Sequence, residues 1–158
     1  MELSIDPGTN GTGWALWERG TSAPHLTGII TPTGDHWDTK PLQIMAEFES
    51  IFRPTSHQIT HVYLEYPTLM QSLGGQVTAK SGALVKLAYL VGYLSAGFTA
   101  WIDADVRLIT VNEWKGQLPK SLVQKRIERI LGLKACQGYK SHVWDAVGIG
   151  LYAKGRFK

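Results

Sequence analysis

Apolar and polar residues alternate at the start of the chain: Leu3 and Ile5 flank Ser4 and precede Asp6, which predicts a strand over Leu3 to Asp6. Gly13-Trp-Ala-Leu-Trp17 predicts a second strand, so the residues between them read as a hairpin connection. A third strand, Leu26 to Thr31, is bracketed by Pro24 and Pro32. Helical spacing then takes over. From Pro41 to Phe52, the residues Ile44, Phe48, Ile51 and Phe52 share one face, and Arg53-Pro54 ends the helix. His61-Val-Tyr-Leu-Glu65 predicts a fourth strand, stopped by Tyr66-Pro67. The clearest helix is Ser81 to Ala96, with Leu84, Leu87, Ala88, Val91 and Leu94 on its buried side, and Phe98 to Ile102 is expected as a fifth strand. Ser121 to Leu131 predicts a helix with Val123, Ile127, Ile130 and Leu131 inward and Lys125, Arg126 and Arg129 outward. Ser141 is the expected N-cap of a last helix running to about Lys154. Hairpin strands first, then strands alternating with helices, imply a mixed α/β sheet covered by helices.

Composition narrows the class. A chain of 158 residues suits one domain spanning 1–158, and 44% hydrophobic with 18% charged residues excludes a disordered chain. The start has no basic segment followed by an apolar core, and the most apolar stretch, Ala83 to Phe98, is interrupted by Lys86, Tyr89, Tyr93 and Ser95. The expectation is therefore no secretory signal and no membrane span. One cysteine, Cys136, permits no internal disulfide and fits a reducing compartment, so a cytoplasmic location is expected. The net charge of +3 is unevenly spread: residues 1–106 hold five Lys/Arg against ten Asp/Glu, and residues 107–158 hold eleven against three. So basic a C-terminal third suits a polyanion partner, or else a solubilising face.

Three carboxylates occupy related settings. Asp6 ends the first strand and Glu65 the fourth, while Asp145 is placed in the first turn of the last helix with His142 three residues earlier on the same face. Hard cations such as Mg²⁺ want oxygen ligands from several elements, and two ions about 4 Å apart can flank one scissile phosphate. Each residue also has a plainer reading. Asp6 can shape the turn before Pro7-Gly8, Glu65 can face solvent, His142 can cap a helix or sit half-buried, and Asp145 can serve the helix dipole.

Taken together, Ile5-Asp-Pro-Gly-Thr-Asn-Gly-Thr-Gly-Trp-Ala15, Tyr63-Leu-Glu-Tyr66 and His142-Val-Trp-Asp-Ala146 resemble the RuvC family of Holliday-junction resolvases, within the RNase H-like and retroviral-integrase superfamily. The resemblance runs from Met1 to about Ala153. It implies a five-stranded mixed sheet, its first three strands antiparallel, with helices on both faces. It also implies a homodimer acting in DNA recombination and repair. Each subunit would nick one of two symmetric strands of a four-way DNA junction by two-metal-ion phosphodiester hydrolysis, leaving 5′-phosphate ends. On the same basis Asp6, Glu65, His142 and Asp145 are the expected metal-binding and catalytic set for two Mg²⁺ or Mn²⁺ ions, with no other small-molecule cofactor. Lys115 and Lys120 match the family's phosphate-contacting lysines, Lys120 being the better placed for the scissile phosphate; Lys125, Arg126 and Arg129 extend the DNA-binding surface. A cytoplasmic, nucleoid-associated enzyme is implied, or one in the host cytoplasm if phage-encoded.

Two departures carry consequences. Many members have a second aspartate where this chain has His142; imidazole suits a softer ion, so a preference for Mn²⁺ over Mg²⁺ is expected. Relatives often place an aromatic wedge soon after the glutamate, and here Tyr66, Leu69 and Met70 are the candidates, with the loop Gln71 to Lys80 able to assist. The alternatives are an RNase H-like nuclease acting on other branched DNA or RNA–DNA hybrids, and a junction-binding module without chemistry. An actin-like ATPase needs two such lobes, more than 158 residues hold.

Overall fold

The opening alternation does build a strand, but both of its sides are covered. In the computed structural model, which describes residues 1–68 and 82–157, β1 (Glu2–Asp6) turns Leu3 and Ile5 to one side and Ser4 to the other, all three fully buried. Ser4 is satisfied there: its hydroxyl donates to the Ala15 carbonyl (3.3 Å) and accepts from the Trp17 indole (2.9 Å). β2 (Thr12–Trp17) and β3 (Leu26–Ile30) follow as antiparallel neighbours, and β4 (His61–Tyr66) and β5 (Asp105–Thr110) add in parallel, giving the order β3-β2-β1-β4-β5. The expected five-stranded mixed sheet, its first three strands antiparallel, is therefore present.

Helices cover both faces. On one lie α1 (Lys40–Phe52) and α2 (Ala83–Ile102), whose Ile44, Phe48, Phe52, Leu90, Leu94 and Phe98 pack on Leu3, Ile5 and Leu16. On the other lie the short α3 (Val111–Trp114), α4 (Lys120–Leu131) and α5 (Ser141–Ala153), whose Trp114, Ile127, Val143 and Val147 pack on Ala15, Trp17 and Tyr63. Each face buries well over a dozen apolar side chains, the dominant favourable contribution to folding.

Several expectations need correction. Phe98 to Ile102 is not a strand but the last turns of α2, because Phe98 extends the buried Leu90–Leu94 series by a further four residues. The helix stops at Asp103, which takes a left-handed conformation (φ 52°) while its N–H bonds the Thr99 carbonyl. The fifth strand comes later, at Asp105–Thr110, where an Asp105–Arg107 ion pair at the sheet edge breaks up the apolar pattern. Ala88 and Ile51, read as inward, are exposed. At 20 residues, α2 is also long and apolar enough to cross a membrane by length and composition, longer than the stretch read from sequence; in this fold its buried side is core. Ser141 is the first residue of α5 rather than its cap, a position that Lys140 fills in extended conformation.

Candidate active site

Strand register brings the first two carboxylates together. Ile5 pairs with Leu64 in parallel, which leaves Asp6 and Glu65 at neighbouring strand ends. Asp6 lies on the same side of β1 as Ser4, and Glu65 on the same side of β4 as Tyr63, so both face the α5 layer. These are the carboxyl ends of adjacent parallel strands, where open α/β sheets leave space for ligands.

α5 supplies the other two groups. It crosses β2 very closely at its first turn: a Cβ on Gly13 would lie 2.1 Å from the His142 carbonyl oxygen, so only glycine lets the helix settle there. His142 then reaches Asp6, with Nδ1 and Oδ2 separated by 2.6 Å. Asp145 is one turn further along the same face. It is thus past the first turn rather than in it, and the helix start favours its charge less than expected.

Lysine completes the cluster. Lys115 directs its ammonium into the pocket, 3.3 Å from Asp145 Oδ1 and 3.9 Å from Glu65 Oε2. The indole N–H of Trp114 donates to the same Glu65 oxygen at 2.8 Å. Lys120 opens α4 at the rim and donates to the Ser141 hydroxyl, beside His142.

The electrostatics match a pocket with surplus negative charge. Burial pushes the Asp6 carboxyl above its usual range; the hydrogen bond to His142 opposes this and the charge of Asp145 adds to it. Burial, followed by repulsion from Asp6, pushes Glu65 up to about 7 against the pull of Lys115 and Trp114. The hydrogen bond to Asp6 raises His142 above an ordinary histidine, with burial opposing. Three carboxylates and an imidazole are suitable donors for Mg²⁺ or Mn²⁺, and a positive ammonium already lies between two of them. Among the described residues no three such side chains close around a single point, because Lys115 separates Glu65 from Asp145 and His142 leans on Asp6.

Of the other predicted residues, Lys125, Arg126 and Arg129 line a shared hollow of ≈ 300 Å³ with Leu118 and Leu122, and the Arg126 guanidinium stacks over Phe157 at 5.2 Å. Tyr66 is exposed but lies on the opposite side of β4 from Glu65, along the groove beside α2. Leu69, Met70 and Lys80 fall outside the described residues. Trp114 was not among the candidates. Its signal was Thr110-Val-Asn-Glu113, a capping box in which Glu113 N–H bonds Thr110 Oγ1 (3.3 Å) and Thr110 N–H bonds Glu113 Oε2 (2.6 Å), fixing α3 immediately before it.

No protein-family model matches the chain, and no curated protein matches it in sequence. Similarity lies in the three-dimensional arrangement. The structure of Thermus thermophilus RuvC matches 99% of this chain and 96% of its own length with a TM-score of 0.67 at 17% identity. The fold is that of RuvC. T. thermophilus RuvC in complex with a Holliday junction substrate gives a TM-score of 0.68 at 19% identity, covering 99% of this chain and 97% of that one. The Fowlpox virus resolvase, in complex with its substrate Holliday junction DNA, covers 99% of both chains with a TM-score of 0.55 at 13% identity. Within the RuvC fold of this chain, Asp6, Glu65, His142 and Asp145 come from β1, β4 and α5 to border one pocket, Asp6 against His142 and Lys115 between Glu65 and Asp145.

Proposed function

We propose that this chain is a metal-dependent endonuclease that resolves four-way DNA junctions by paired symmetric nicks, leaving 5′-phosphate ends. The observation that carries the reading is the convergence of Asp6, Glu65, His142 and Asp145 from three elements of a RuvC fold. Those four side chains would hold two Mg²⁺ or Mn²⁺ ions. When bound, such ions lower the pKa of water and offset charge on the scissile phosphate. Asp6, buried at the end of a central strand and bonded to His142, would be one of the residues that hold the ions. Lys120, at the rim beside His142, supplies positive charge toward the phosphate, and Lys125, Arg126 and Arg129 bind the backbone of a junction arm.

Cutting two symmetric strands takes two sites, hence a homodimer. The surface we assign to the second copy is the outward side of α2, where Ala88, Gly92 and Ala96 permit close approach and Val85 and Tyr89 are exposed. Incubating the purified protein with mobile and fixed four-way junctions in Mn²⁺, and mapping the nicks, tests the reading. Paired symmetric cuts are expected, with D6N binding junctions but not cutting them. Cleavage by D6N, or of RNA–DNA hybrids in preference to junctions, refutes it.

A further inference from the structure

Trp114 is 3% exposed, and its neighbours leave its ring one place to sit. A Cβ on Gly148 of α5 would lie 2.4 Å from Trp114 Cζ3, and the Phe157 ring packs against the indole edge-on at 5.5 Å. The capping box holds the backbone from the other side. A buried indole N–H needs an acceptor, and here the acceptor is a pocket carboxylate, Glu65, rather than a backbone carbonyl. One face of the ring carries the Lys115 ammonium, 4.5 Å from the centroid. A carboxylate has about four lone-pair sites, so one bond to the indole still leaves Glu65 free to bind an ion.

We propose that Trp114 is a positioning residue for the pocket: its indole N–H fixes the Glu65 carboxylate, and its ring holds Lys115 between Glu65 and Asp145. The proposal rests on the metal reading above. Groups that orient a ligating side chain typically affect metal affinity by roughly 10- to 100-fold. Phenylalanine keeps the apolar ring but lacks the N–H, so W114F should fold and bind Mn²⁺ about 10-fold more weakly in calorimetric titration. Replacing Trp114 with β-(3-benzothienyl)alanine, the sulfur isostere that fills the same space without the N–H, should give the same loss and serves if W114F fails to fold. 7-Azatryptophan, which keeps the N–H, should restore the affinity. Unchanged Mn²⁺ affinity in the sulfur isostere overturns the positioning role. A parent protein that binds no Mn²⁺ overturns the metal reading instead, so the two failures are distinguishable.

Discussion

The Glu65 carboxyl at about 7, against 4.5 for an ordinary glutamate, makes metal-free stability depend on pH in a definite direction. A value raised in the folded state means that, between the two, the folded chain holds a proton the unfolded chain has released. Stability therefore falls as pH rises through that window. At about 1.4 kcal/mol per pH unit, the separation amounts to about 3 kcal/mol, a large share of the 5–15 kcal/mol that holds a typical domain together. The Glu65 side chain is only 16% exposed, so water screens little of this. Asp6 and His142, both raised as well, push the same way. Glu65→Gln removes the charge while keeping size and an acceptor for Trp114. In urea titrations with EDTA, E65Q should exceed the parent by about 3 kcal/mol at pH 8 and nearly match it at pH 5. Mn²⁺ should stabilise the parent at pH 8 far more than it does E65Q. If E65Q gains nothing at pH 8, the crowding of negative charge around Glu65 is not what the geometry implies.

Lys115→Met should destabilise the metal-free protein by about 2 kcal/mol, because Glu65 and Asp145 lose a half-buried partner, and Mn²⁺ should recover most of it in thermal melts. Gly13→Ala should cost about 3 kcal/mol or more by urea titration, since its Cβ would strike the His142 carbonyl and push α5 off the sheet. Junction cleavage should run faster in Mn²⁺ than in Mg²⁺ at saturation, and His142→Asp should narrow the difference; equal rates in the parent would refute the role assigned to imidazole.

The elements that sequence displayed best were those with one rule acting alone. β1 and α1 follow simple periodicity and β2 is an unbroken apolar run, whereas Asp6, Glu65, His142 and Asp145 stood out only jointly, through their resemblance to a known family, since each alone also has a structural use. β5 was hidden for an opposite reason: an edge strand needs charge against unwanted pairing, and Asp105 and Arg107 dilute its pattern. Phe98, Trp101 and Ile102 favour strands locally, yet packing across α2 overrides that preference. The ion pairs of Lys115 were not legible in sequence, because nothing local shows which way a lysine points and its partners, Glu65 and Asp145, are distant along the chain.

The parallel pairing of Ile5 with Leu64, and the contact between Asp6 and His142 across nearly the whole chain, also bear on when the pocket is completed. Contacts between residues so distant in sequence form late, and synthesis proceeds from the N-terminus. A ribosome that has delivered β1 through α4 has released a sheet bearing two of the four groups. The pocket cannot exist until α5 emerges and docks, so under the nuclease proposed above a stalled or truncated product would lack its cutting centre.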